Sequence, residues 1–209
     1  MTRFREKLKV YYDPRHKPIP LPHDPLTALV VPRPIGWIST LGRNGIVNLA
    51  PYSFFNAVAA NPPFVMFSSA GIKHSQLNAE QTGEFVASLA TYELREEMNI
   101  SSAMVGAEVS EPELARLEMA PSIAVKPPRV RKSPVALECR YYKTVELPGP
   151  DGKPHSFSIV IGEVVGIYID DSVIINGIVD LSQARPIARL GDLDQYTVVD
   201  TIFKMTRPG

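Results

Sequence analysis

Two β-prone apolar runs flank Gly42-Arg43-Asn44-Gly45 in "PIGWISTLGRNGIVNLAP", residues 34–51. An Asn-Gly pair between such runs is a strong tight-turn signal, so the pattern predicts a hairpin there. The next stretch, "NLAPYSFFNAVAANPPFVMFSS" over 48–69, contains no Asp, Glu, Lys or Arg. Its apolar positions follow no single period, and it reads as an uncharged loop of small and aromatic residues. Only its end, "FVMFSS", has the continuous apolar character of a buried strand.

Further along, "KHSQLNAEQTG" predicts a short helix with Ser75 as N-cap and Gly83 in the left-handed position past its end. "EFVASLA" predicts a strand, and Leu94, Met98 and Val105 fall near helical spacing behind a Thr91 cap. Ser110 and Glu113 form a capping-box pattern. "SPVALECRYYKTVEL" and "HSFSIVIGEVVGIYID" predict long strands joined by the turn-forming "PGPDGKP", and the tail from 184 predicts a loop and a last strand. The N-terminal region, with strand-like "KLKVYY" followed by "DPRHKPIPLPHDP", reads as an extended arm in which proline disfavours helix. The chain therefore divides into an arm, 1–31, and one domain, 32–209. Many strands at short spacing with few helices predict a mainly β fold, an antiparallel closed or nearly closed barrel with a few short peripheral helices.

Composition narrows the function. Lys+Arg and Asp+Glu are both 22, so the formal net charge is zero, which argues against nucleic acid or an anionic membrane as partner. No apolar run has the length of a membrane helix. The single cysteine, Cys139, leaves no disulfide framework and suits a reducing cytoplasm; within a strand pattern it reads as a buried, inert thiol. The 20 prolines are spread along the chain and punctuate strands and loops.

Familiar catalytic patterns are missing. There is no G-x-G-x-x-G after a strand, no Walker A, no G-x-S-x-G and no H-E-x-x-H. His16, His23, His74 and His155 lack ligand spacing with one another or with Cys139, so no metal site is expected. The adjacent pairs Glu96-Glu97 and Asp170-Asp171 diverge in any regular element and read as solvated. No catalytic side chain is assigned, and redox or transfer chemistry falls to an organic cofactor.

Four blocks carry a resemblance: the run 33–69 beginning "RPIGWIST", then "KHSQLNAEQTGEFVASL", "IGEVVGIYIDD" and "RPIARLGDLDQY". In this order they resemble the flavin reductase-like, FMN-binding split-barrel family. The resemblance implies an antiparallel Greek-key split barrel, a homodimer with FMN near its interface, and NAD(P)H as electron donor. FAD is an alternative flavin substrate, and a flavin-dependent monooxygenase is a candidate partner. At the phosphate end many relatives have Lys-Asp-Thr where this chain has Lys73-His74-Ser75, and several have His where this chain has Tyr168. Their Arg-Leu-Gly…Tyr element corresponds to Arg189, Leu190, Gly191 and Tyr196.

On that basis the backbone of Ala50, Pro51, Tyr52 and Ser53 is the candidate wall for the flavin ring, with Trp37 beside it. Ser39, Thr40, Asn48 and Ser53 suit the ribityl chain and ring heteroatoms. The helix N-terminus at Ser75, with Lys73, His74, Ser68 and Ser69, suits the phosphate; Arg189 faces the cofactor or a partner subunit. Phe54 to Pro63 is expected at the barrel rim or a subunit contact. Each residue also has a plain reading: Trp37 as core, Ser39 and Thr40 as β-formers, Ser75 as a cap, Lys73 as surface charge, Arg33 and Arg189 as interface ion pairs. A flavin-binding electron carrier with little direct NAD(P)H activity, or a non-enzymatic ligand-binding barrel, remains an alternative to a reductase.

Overall fold

The computed structural model describes residues 10–16, 18–149, 152, 157–191 and 194–209. In chain order its elements are α1 Leu26–Leu29, β1 Arg33–Pro34, β2 Gly36–Leu41, β3 Val47–Tyr52, β4 Phe55–Ala60, β5 Pro63–Ala70, α2 His74–Thr82 and β6 Glu84–Leu89. A 3-10 turn, Tyr92–Leu94, leads into α3 Arg95–Ile100. Then come α4 Glu111–Leu114, β7 Met119–Ala120, β8 Arg129–Val130, β9 Val135–Leu147 and β10 Phe157–Ile169. The short strands β11 Ile174–Ile175, β12 Ile178–Val179, β13 Ile187–Arg189 and β14 Tyr196–Val198 close the chain.

Seven strands form one antiparallel sheet in the order β3-β2-β6-β9-β10-β5-β4. One face of six of them converges on a single core of Ile38, Tyr52, Val65, Phe67, Phe85, Ala87, Cys139 and Val160, with Ala79 of α2 plugging one end. A sheet whose inner face meets itself has curled into a barrel, and its two end strands, β3 and β4, follow one another directly in the chain through Ser53 and Phe54. The fold is the expected mainly β, antiparallel split barrel with short helices. Cys139 lies fully inside, and burial pushes its thiol far above the ordinary cysteine value, with Glu138 adding to the effect.

A second core lies outside the barrel wall. Ile35, Trp37, Leu49, Ala90, Leu94, Met98, Val130 and Ile187 pack there, beneath α3 and the small sheet β1-β13-β14. The β2–β3 hairpin separates the two cores, because alternate residues of a strand point to opposite faces. Its turn falls where expected. Only Gly45 has positive φ, at 81°, and the Gly45 N–H donates to the Gly42 carbonyl, a four-residue turn followed by a bulge at glycine.

Several expectations change. The uncharged stretch is not a loop: 55–60 is a strand, β4, paired with β5 around a tight turn at Asn61-Pro62. As an edge strand, exposed along nearly its whole length, β4 has no buried face to impose a hydrophobic period. Residues 10–12 are irregular instead of strand-like, and the arm contains one helical turn, α1, in the proline-free segment after Pro25. Ser110 and Thr91 precede helical turns, but neither side chain makes a capping bond. Ser75 lies inside α2, whose N-cap is Lys73; Gly83 does adopt φ 80° at its end. His155 and most of the expected 148–154 turn lie outside the described residues, as do residues 7–9 of the arm. Among the described residues no helix is long and apolar enough to cross a membrane.

Candidate functional site

The residues singled out along β2 and β3 fall on opposite sides of their hairpin. Direct pairing of Thr40 with Asn48 and Ile38 with Ala50 sets Thr40, Asn48, Ala50 and Tyr52 on the barrel side. Pairing of Ser39 with Leu49 and Trp37 with Pro51 sets Trp37, Ser39, Pro51 and Ser53 on the outer side. Trp37 is fully buried there, and its indole Nε1–H donates to Ser101 Oγ at 2.9 Å. It has no surface to offer a ring, so its plain reading as core holds. Ser39 is equally closed off, its hydroxyl donating to the Pro128 carbonyl.

On the barrel side, strand and helix meet in a polar corner. Asn48 Nδ2 donates to Ser75 Oγ at 2.9 Å, and Asn78 Nδ2 donates to Thr40 Oγ1 at 3.1 Å. Ser75 therefore spends its hydroxyl on holding α2 to β3. The Tyr52 hydroxyl lies near Ser69 and Ser75 without a well-formed bond to either; burial raises its pKa, and those two hydroxyls oppose the shift. Ser69 and Ser158, opposite each other on β5 and β10, are also buried with unpartnered hydroxyls. Glu111 was legible only as part of a capping pattern. It is buried, and its Oε2 accepts the Leu49 N–H at 3.0 Å, fastening α4 to the middle of β3.

The head of α2 is open to ligands. No side chain caps it, so the first-turn N–H groups of 74–76 have no side-chain acceptor. Lys73 is exposed beside them, and Ser68 and His74 are half-buried. Uncapped amides, an ammonium, an imidazole and a hydroxyl form a donor set that fits a phosphate. Gly71, with φ 67°, turns the chain from β5 into this helix.

The other end of β3 opens into a cavity of about 540 Å³, lined by Pro51, Ser53, Met98, Ile187 and the side chains around Arg95 and Arg189. Arg95 lies 4.2 Å from the Tyr92 ring centroid and Arg189 lies 4.6 Å from that of Tyr196. Glu96 and Asp194 also line the space, so its charge is mixed. Tyr92, Arg95 and Tyr196 carry no local sequence signal as a group, because β14 and α3 are brought together only by the fold.

Two residues raised by the resemblance lie elsewhere. Tyr168 packs against the Val86, Val125 and Ala136 cluster, under the Arg129 guanidinium at 3.5 Å, with its hydroxyl on Asp170. Arg33 is bonded within its own chain: its guanidinium donates to the carbonyls of Thr27, Val30 and Leu190 and ties α1 to the small sheet.

Comparison with known proteins gives a consistent picture. Residues 28–181 match the family described as flavin reductase like domain. An uncharacterized protein of Aquifex aeolicus is 37% identical over 169 residues, 78% of this chain and 83% of that protein. The nitrilotriacetate monooxygenase component B of Bacillus cereus superposes with TM-score 0.87 at 28% identity, over 96% of this chain and 100% of that one. The 2-nitrobenzoate 2-nitroreductase of Pseudomonas fluorescens gives TM-score 0.77 at 28% identity, with 88% of each chain covered.

Proposed function

Because the chain belongs to the flavin reductase-like domain family, we propose that it is an FMN-binding oxidoreductase that reduces flavin with NAD(P)H. The observation that carries this reading is the arrangement of the two ends of β3. One end meets the uncapped head of α2 with Lys73 and His74, and the other opens at Pro51 and Ser53 into the large cavity. From Asn48 to Ser53 is roughly 16 Å at about 3.3 Å per residue. That span suits a ligand with an anionic tail and a flat, uncharged head. Ser68, Lys73, His74 and the α2 amides would hold the phosphate, and the backbone of Ala50 to Ser53 would orient the ring.

A bound flavin would supply the redox chemistry, as an acceptor of hydride from a reduced nicotinamide. The protein's part is to orient the two rings and to exclude water with the apolar lining of Pro51, Met98 and Ile187. The Ser69, Ser75 and Tyr52 hydroxyls are buried behind this corner.

The chain would act as a homodimer. β4 is an uncharged edge strand with an exposed Val58, and it adjoins the exposed Phe54. Such an edge templates pairing unless another chain covers it. The likeness to a monooxygenase component B supports delivery of reduced flavin to a monooxygenase.

Titration of the purified protein with FMN, followed by stopped-flow mixing with NADH and NADPH, tests the reading. Micromolar FMN binding and rapid bleaching by one nucleotide support it. Bleaching only by a protein donor would make the chain an electron carrier, and absence of flavin binding would remove the proposal.

A further inference from the structure

We propose that the tail 199–209 of a second copy of this chain seats in the cleft between α3 and the root of the β11–β12 hairpin. The inference rests on the homodimer reading above and on nothing in the flavin site. The cleft has a volume of about 510 Å³, within the roughly 300–1,000 Å³ of specific binding sites.

Its lining leaves room for an occupant of both apolar and charged character. Leu94, Val173 and Ala184, all buried, form an apolar floor. Glu93 is already paired with Arg185 at 2.9 Å. Glu97 and Lys132, one of each sign, make no side-chain hydrogen bond or ion pair among the described residues. The hairpin rises between Val173 and Asp180, closed at its base by the Asp180 N–H donating to the Val173 carbonyl at 2.8 Å. Asn176 and Gly177, at φ 52° and 76°, make its tip, the left-handed pair that a two-residue hairpin turn requires. Its pairs Ile174–Val179 and Ile175–Ile178 expose four aliphatic side chains, and alternation puts one pair on each face. An uncharged arm that is apolar on both faces marks an interaction surface.

The tail has the matching chemistry. It leaves β14 at Val199, whose N–H donates to the Pro186 carbonyl at 2.8 Å, two residues from Ala184 in the cleft. Beyond that point Ile202, Phe203 and Met205 are 69%, 79% and 83% exposed, so their own chain does not cover them. Lys204 lies between Phe203 and Met205, a cation flanked by apolar side chains. The cleft offers the complement, a free carboxylate at Glu97 beside an apolar floor, and Asp200 with Lys132 gives a second pair of opposite sign. Extended at about 3.3 Å per residue, the segment past Val199 reaches roughly 33 Å, enough to cross a subunit boundary. Tail root and cleft adjoin on one chain, so a two-fold axis beside Pro186 exchanges both tails at once, each copy giving and receiving. The small sheet that carries the tail also has β1 lying against β4, beside the edge proposed for pairing.

A cysteine pair tests the seat directly. Glu97→Cys and Lys204→Cys chains are co-expressed, oxidised and analysed by mass spectrometry; Cys139 is buried and does not compete. The expected product is a covalent dimer joined through positions 97 and 204. In the chain carrying both substitutions, an intrachain link without covalent dimer overturns the proposal in favour of a tail folded back on its own cleft. Sedimentation velocity across a concentration series is the second readout, with circular dichroism checking the fold. Glu97→Lys and Phe203→Asp should each raise the dimer Kd about tenfold or more. Combining Glu97→Lys with Lys204→Glu should return it to near the wild-type value, as expected for two residues in contact. Unchanged dimerisation in both single variants, or no rescue in the double one, overturns the seat and leaves the homodimer standing. A wild type that stays monomeric throughout the series overturns the homodimer reading itself, a distinct outcome.

Discussion

Arg33 and Arg189 stand directly opposite each other in the β1–β13 ladder. Like charges in that position repel. The structure accommodates them by taking Arg33 out of play as a surface cation, in a ring of three main-chain carbonyls, while Arg189 turns to Tyr196 and the large cavity. Burial, and then the charge of Arg189, lower the Arg33 pKa.

Arg33→Ala should therefore loosen the arm before it affects the barrel. Hydrogen bonds from a charged donor contribute about 1.5–3 kcal/mol each, and losing three that are partly replaced by water should cost about 2–4 kcal/mol. Limited proteolysis should cut near residues 26–31 in the variant and not in the wild type. Arg33→Lys, a point charge with one short reach, should recover only part of the protection.

Glu111 supplies a pH signature. Burial raises its carboxyl pKa, opposed by the Leu49 amide, its own backbone N–H and the charge of His74. A raised folded value means the native state holds the proton more tightly than the unfolded chain. Its stabilising contribution is thus complete below the ordinary carboxylate value and is lost as pH rises through the raised one. Urea unfolding across pH 4 to 8 should show this fall in the wild type and a flatter profile in Glu111→Gln. Glu111→Ala, which strands the Leu49 N–H, should cost about 1–3 kcal/mol at every pH.

Lys73 separates phosphate from ring. Lys73→Ala should weaken FMN about ten- to a hundredfold, the equivalent of one charge-assisted hydrogen bond. Riboflavin, which lacks the phosphate, should bind the variant as it binds the wild type. Equal losses for both ligands would remove Lys73 from the phosphate corner.

Gly162 tests the barrel's packing. A Cβ there would lie 2.3 Å from the Phe85 ring, which is fully buried and cannot move aside. Gly162→Ala should cost about 1–3 kcal/mol, the usual penalty for overpacking. Gly36→Ala meets Phe55 at 2.4 Å, but that ring is only half-buried on the edge strand and can swing away. Chemical denaturation should show the smaller loss at Gly36.

Much of this was written locally in the chain. The Asn44-Gly45 turn, the continuous apolar run of β5 and the glycine ending α2 each follow from backbone preference within a few residues, and the structure keeps them. β4 was hidden because an edge strand exposed on both faces needs no alternation. None of the predicted caps at Ser75, Thr91 and Ser110 makes a capping bond. Ser75 answers Asn48, 27 residues away, a partner that no local pattern names. Glu111 was disguised by a capping motif, and the rim of the large cavity joins segments about a hundred residues apart.

The hairpin between the two cores also changes what its sequence means. "WISTL" and "NLAPYS" look like two continuous motifs, yet each is a pair of interleaved messages, odd numbers addressed to one compartment and even numbers to the other. Deleting a single residue would not shorten either message; it would deliver both to the wrong address. Substitutions at neighbouring positions should therefore behave as strangers, and those two apart as kin.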